Sequence, residues 1–450
     1  MKKLLAIAVL TLACANSLFA QHDQHNNTST PTQHTEEGPP MTSKFSLDLP
    51  MNRDGSGTSW VPDETPIYAY MIHGKKWMTM IHGDFFFRYN KQDVFNAGSR
   101  GGSKFDAPNM VMLMTQRRVG RNGLFAINTM ISLDPFTVGN GGYPLLFQTG
   151  ESYKGNILVD RQHPHDLFAQ LSLAYTHKVA ANTDVSLSVG YPGEPAIGPP
   201  VFMHRISGWN SPDAVLGHHY QDATHIAFGV ATLGLRHKNF KLEGSVFTGR
   251  EPDEFRYGFD KARFDSYSAR LSYNPTTQWA LQVSNAWLHN PEESHSGNVN
   301  RFTASAIHTK MLTASSYVAT TLVYGQNKHA GHGPPEPSVL LESTMQWTKA
   351  ALYGRYEFVQ KNAEALGLDN VLPANPKLNI NAITLGTNYI LGTFKQTNLT
   401  AGVQGTLNVS PSLVKNIYGS APVALQVYLR VNPSMLKLGR PRNMIMDMEM

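Results

Sequence analysis

A double alternation limits what this chain can fold into. From about residue 76 to 432, apolar and polar residues alternate one for one in segments of about ten. The connections between these segments also alternate, short then long. In "WMTMIHGDFFFRYN", Trp77, Ile81, Phe85, Phe87 and Tyr89 share one face, and Met78, Met80, His82, Asp84, Arg88 and Asn90 share the other. In "SYSARLSYN", Tyr267, Ala269, Leu271 and Tyr273 oppose Ser266, Ser268, Arg270 and Ser272. A period of two is the strand period, because successive side chains leave opposite faces. The polar face carries charges and the apolar face ends in Tyr or Trp, the pattern of lipid outside, water inside and aromatic girdles at the two interfaces.

The spacing predicts about 16 strands, bounded near 76–90, 109–119, 123–133, 166–179, 183–191, 224–236, 239–249, 264–273, 277–289, 300–311, 314–325, 337–348, 350–361, 377–392, 396–409 and 420–432. Every second connection has only a few residues, such as "GRN" or "GTF"; the others run from about ten to more than thirty. Short periplasmic turns and long outer loops are the transmembrane-barrel rule. The expected fold is therefore all-β: a transmembrane antiparallel barrel with both ends on the periplasmic side and long outer loops folding into the lumen.

The segments outside the barrel are read from their composition. "MKKLLAIAVLTLACANSLFA", with Lys2 and Lys3 ahead of an apolar run, is a secretory signal peptide over 1–20. Residues 21–75 are polar and carry His22, His25 and His34; they are expected to form a disordered periplasmic lead. Residues 433–450 form a Met-rich periplasmic tail, with Met444, Met446, Met448 and Met450 between acids. Cys14 is the sole cysteine, so the mature chain offers no disulfide, thiolate ligand or cysteine nucleophile. Without Lys2 and Lys3 there are 36 basic and 33 acidic residues. That balance gives no case for nucleic acid as a partner.

Histidines collect in the outer loops. "VDRQHPHDLF" brings His163 and His165 to the end of one long loop; the next brings His204, His218, His219 and His225 to the same end of the barrel. The following loop adds Arg250, Glu251, Asp253, Glu254 and Arg256. Such groups at loop ends can anchor a plug through hydrogen bonds. Imidazole with carboxylate also suits Cu(II), Zn or Ni. Methionines form a second pattern. Met78 and Met80, with His82, Met110, Met112, Met114 and Met130, fall on the lumen side of the first three strands. Thioethers select Cu(I), and flexible Met also fills gaps under an inserted segment.

The blocks "GYPLLFQTGE", "VDRQHPHDLF", "GEPAIGPPVFMHR", "HHYQDATHI", "GREPDE" and "DSYSARLS" lie between about residues 60 and 305. Through them the chain resembles a family of uncharacterised outer-membrane barrel proteins of Gram-negative bacteria. The resemblance implies location in the outer membrane and an association with heavy-metal, especially copper, resistance. It supplies no catalytic residues.

These observations lead to a non-enzymatic outer-membrane barrel that binds or passes transition-metal ions, copper foremost. Its expected partners are outer-membrane lipid, small ions or solutes, and a periplasmic metal-handling protein. Two other readings stay open. One is a plugged channel or structural barrel for another solute. The other is an outer-membrane hydrolase built from "DRQHPHD", "GREPDE" and Asp265 with Ser266.

Overall fold

The computed structural model describes residues 41–292, 297–331, 333–372 and 374–436. The signal peptide, His22, His25, His34, His332 of the sixth outer loop and the Met-rich end of the tail lie outside the described residues.

Sixteen antiparallel strands form the barrel: β1 Met78–Gln92, β2 Asn109–Val119, β3 Gly123–Ile131, β4 Phe168–Ala180, β5 Thr183–Gly190, β6 Val230–His237, β7 Phe240–Phe247, β8 Ser266–Thr276, β9 Trp279–Leu288, β10 Val299–Thr313, β11 Ser316–His329, β12 Glu336–Gln346, β13 Ala350–Asn362, β14 Lys377–Phe394, β15 Thr397–Val409 and β16 Val423–Pro433. Each pairs with the next. The cylinder closes where Phe85 to Lys91 of β1 pair with Val431 to Leu425 of β16. Two short strands, Tyr70–His73 and Gly102–Asp106, join the same sheet beside β1.

Alternation along the strands divides the molecule. Leu187, Leu233, Leu242, Leu271, Leu341, Leu385 and Val427 project outward as an exposed apolar surface. Aromatic residues mark its two edges. Trp279 and Trp347 stand beside short turns, and Tyr267 stacks on Trp287 toward the long-loop end. Inward-pointing Arg88, Arg236, Lys241, Glu243, Arg270, Arg301, Glu342, Glu357 and Arg430 are buried. A closed cylinder leaves no strand edge unpaired in hydrocarbon, which is what permits such a sheet to span a membrane. Charge inside and hydrocarbon outside make this an outer-membrane barrel.

The lumen is occupied by the chain itself. From the outer side, residues 134–167 and 191–229 fold in. The first of these loops carries a hairpin, Tyr143–Tyr153 with Asn156–Gln162. Its Leu145, Leu146 and Phe147 pack with Leu216, Tyr220, Leu366 and Ile380. Arg205, buried in the second loop, holds that loop to the wall through Glu342 at 2.8 Å and is itself paired with Asp222 at 2.6 Å.

The lead departs from expectation. Residues 41–75 were expected to be disordered, yet they are structured, and most of their side chains are buried or half-buried inside the periplasmic half. Arg53 pairs with Asp63 at 2.6 Å. Asp48 meets Lys178 at 2.6 Å and Arg236 at 3.1 Å. The Thr58 hydroxyl accepts from Arg270 at 2.6 Å, and its carbonyl accepts from Lys241. A polar composition gives disorder when it has no surface to satisfy it; here the charged lumen wall is that surface. The start of the tail is also ordered: Met435 bridges Tyr68, and the Leu436 N–H donates to the Ile67 carbonyl at 2.8 Å.

Candidate metal centre

The stretch "VDRQHPHDLF" divides its labour. Asp160 accepts from the Phe147 N–H at 2.7 Å, Arg100 at 2.9 Å and Tyr418 at 3.0 Å. Arg161 donates to the carbonyls of Gly141 and Gly142 at 2.5 and 2.9 Å. These two residues fix the loop. The two histidines, separated by Pro164, then turn into the lumen and are buried.

There they meet His218, His219 and His225. A helical turn, His218–Gln221, presents His218 and His219 in succession. The rings of His163, His218 and His219 form a closed triangle, with centroid separations of 5.9, 5.7 and 5.2 Å. His225 lies 5.1 Å from His218 and 5.4 Å from His165.

Each of the five rings is held by Nδ1. His163 is 3.2 Å from Glu151, His165 2.9 Å from Asp134, His218 2.5 Å from Asp222 and His219 2.9 Å from Glu251. The Nδ1 of His225 is 3.1 Å from the Asp222 backbone carbonyl. A carbonyl or ionised carboxylate only accepts. The Nδ1 of His163 is also 3.2 Å from the Pro164 carbonyl, an acceptor whatever the state of Glu151, so in all five rings the proton sits on Nδ1 and the lone pair on Nε2. In all five rings Nε2 is buried and has no hydrogen-bond partner. A buried acceptor without a partner costs roughly 1–3 kcal/mol, so five together call for an explanation. Histidines that ligate metals show this same arrangement, with the far nitrogen donating to a carboxylate or carbonyl behind it.

The cluster is not a finished shell. Among the described residues no group of three or more His, Asp or Glu donors is gathered closely enough to hold an ion as it stands. Two imidazoles on one tetrahedral ion at about 2.1 Å place their ring centres roughly 5 Å apart, a spacing that the centroid separations of the triangle approach. Burial holds His163, His204 and His225 well below the ordinary histidine pKa, which keeps them in the neutral ligand form. Burial likewise pushes Glu151 up to about 8, against the pull of Arg256. Asp222 is held well below the carboxylate range by His218 and Arg205, which outweigh its burial.

His204 does not join the five. Its ring stands 5.2 Å from His82 on β1, nearer the periplasmic end. The six methionines are buried on the lumen wall, and Met80, Met112 and Met114 line the same cavity as His82 and His204. Met80 is opposite Met114, His82 opposite Met112, and Met112 opposite Met130. The sequence pattern therefore placed Met78, Met80, Met110, Met112, Met114 and Met130 on the inner face correctly. Met80, Met110, Met112, Met114 and Met130 also pack in one cluster with Ile206, Trp209, Ile226 and Tyr317.

Sequence reasoning missed the residues that orient the rings. Glu151 and Asp222 stand in the blocks "GYPLLFQTGE" and "HHYQDATHI" and Asp134 in none, but only their buried contacts show that they hold imidazoles. Met51 and Met203, on the lead and the second loop, also line the interior cavities. The Ser266 hydroxyl bonds Asp265 at 3.0 Å and accepts the His289 backbone N–H at 2.9 Å. Those bonds close a strand end and include no imidazole base.

Similar folds occur among solved porins and outer-membrane proteins. OmpF of Salmonella typhi, solved in complex with daunomycin, has 9% identity over 80% of this chain and 100% of that chain, with a TM-score of 0.48. An anion-selective porin from Comamonas acidovorans has 11% identity over 80% and 99%, with a TM-score of 0.45. OmpT of Vibrio cholerae has 6% identity over 81% and 100%, with a TM-score of 0.45. At these values the likeness adds no argument to the strand pairing described above. No protein-family model and no curated protein sequence matches the chain.

Proposed function

We propose that this outer-membrane barrel binds or passes transition-metal ions, copper foremost, at the histidines and methionines of its interior. The observation that carries the reading is the set of five buried imidazoles, each fixed through Nδ1 and each with its Nε2 lone pair unpartnered. Neutral imidazoles backed by carboxylates suit Cu(II) and other late divalent ions, and thioethers suit Cu(I). The outer loops supply the first set and β1–β3 the second. A periplasmic metal-handling partner would meet the barrel at the end where the lead and tail emerge.

The test is titration of the purified full-length barrel in detergent with Cu(II), followed calorimetrically and by electron paramagnetic resonance. Nitrogen hyperfine structure from several imidazoles is expected, and it should be lost when His163, His218 and His219 are replaced together by Gln. Copper binding unaffected by that replacement, or no binding, would leave the histidines as loop anchors in a plugged barrel.

A further inference from the structure

Below the five-imidazole cluster, the lumen changes chemistry. A cavity of about 90 Å³ is lined by His82, Met80, Met112 and Met114 of the barrel wall, His204 of the second inward loop and Met51 of the lead. The Nε2 of His82 stands 3.3 Å from the sulfur of Met112. A nitrogen about 2.0 Å and a sulfur about 2.3 Å from one ion are separated by roughly 3.3 Å when the angle at the ion is near 100°. That nitrogen and sulfur are thus already spaced as two ligands of a single ion. A smaller cavity of about 50 Å³ is lined by Met110, Met203, His163 and His165.

The two places differ in electrostatics. Behind the upper rings stand Glu151, Asp134, Asp222 and Glu251. Arg205 pairs with Asp222 and Arg256 with Glu151, so it is Glu251 behind His219 and Asp134 behind His165 whose charge favours a dication. Behind His82 and His204 no carboxylate is hydrogen-bonded to the ring; Asp54 lines the same cavity and accepts from the Lys44 backbone N–H at 2.8 Å, and the buried Lys44 side chain acts on both rings. One carboxylate beside one ammonium supplies less negative charge than the acids of the upper place. Thioether donors are neutral and soft, and they select monovalent d¹⁰ ions over borderline dications.

We propose that the barrel contains two stations that sort ions by charge and softness. The upper one, His163, His218 and His219, takes a borderline divalent ion. The lower one, His82, Met112, Met114 and Met80 with His204, takes a soft monovalent ion such as Cu(I). This rests on the metal-binding reading above and adds the ion class of each station. It requires no redox step, because each station is loaded by an ion of its own kind.

The experiment uses Ag(I) as a redox-inert soft monovalent probe and Zn(II) as the divalent probe, on the full-length barrel in detergent. With Zn(II) saturating, the wild type should still take up one Ag(I). Met112→Leu with Met114→Leu should weaken Ag(I) by at least about tenfold, since removing a ligand costs no less than removing its outer-shell support. Zn(II) affinity should not change. Leu and Met have similar volume, so the fold is retained; heat-modifiable gel mobility verifies it. His163→Gln, His218→Gln and His219→Gln together should give the opposite result, with Zn(II) lost and Ag(I) kept. Ag(I) affinity unchanged in the Met variant, or loss of both ions in either variant, overturns the two-station proposal while metal binding itself stands. If the wild type binds neither ion, the metal reading fails and takes this proposal with it.

Discussion

The Nδ1 of His218 lies 2.5 Å from a carboxylate oxygen of Asp222, four residues on, and the other oxygen of that carboxylate lies 2.6 Å from Arg205. One acid thus orients an imidazole and anchors the loop that carries it. Arg205 continues to Glu342 on β12, so the ring is referred to the barrel wall through two buried ion pairs.

Asp222→Asn should uncouple these roles. The amide keeps the shape but removes the charge that balances Arg205. Breaking one side of a buried pair costs about 3–5 kcal/mol. Loss of an outer-shell partner weakens metal affinity by about 10–100-fold. The variant should show a lower unfolding midpoint of the loops and weaker Zn(II) binding, with the barrel's strand content by circular dichroism unchanged.

Gly150 tests the same site from its other side. Its φ is +156°, and an added Cβ would run into the His219 imidazole. Gly150→Ala must displace that ring, with an overpacking cost of about 1–3 kcal/mol. Weakened Zn(II) binding with normal insertion into detergent is expected, and His219→Gln in the same background should weaken it little further.

The pH dependence follows from burial. His163, His204 and His225 have folded pKa values well below 6.5. Above about 6.5 the folded and unfolded forms are both neutral, and these groups give stability no slope. As pH falls below 6.5 the unfolded chain takes up protons that the folded one does not, so stability declines until the folded pKa is passed. The contribution of His163 to divalent-ion binding should likewise persist from pH 7.5 to about 6, where free imidazole would already lose its ligand form. Calorimetric titrations at stepped pH will measure this; affinity falling in parallel with free imidazole contradicts it.

The lipid-facing surface can be probed at Leu385, 65% exposed near the middle of β14. Arg at a bilayer midplane costs about 2–4 kcal/mol in a barrel. Leu385→Arg should lower folding efficiency into lipid vesicles by that amount, whereas Thr384→Arg on the inner face would act through the packing of the lumen instead.

The barrel was legible because lipid and water impose opposite demands on successive residues. Leu242 and Glu243 need no context to be assigned to opposite faces. The boundaries shifted mainly at β6, read from 224 and found from Val230, because residues before it belong to the inward loop. The lead was misread because Arg53, Asp48 and Thr58 look like a solvated chain until their lumen partners are known. The histidines could be placed at one end of the barrel but not grouped. His204 belongs with His82, 122 positions earlier in the chain, and only the inward fold of its loop brings the two together.

The lead sits within a cylinder whose seam is the β1–β16 contact, and Tyr68 and Ile67 are tied to Met435 and Leu436 just past the last strand. The residues that hold the lead follow the closing strand directly, so closure of the wall at β16 and fastening of Tyr68 and Ile67 belong to one continuous segment. A change that frays the end of β16 would loosen the stopper as well as the seam.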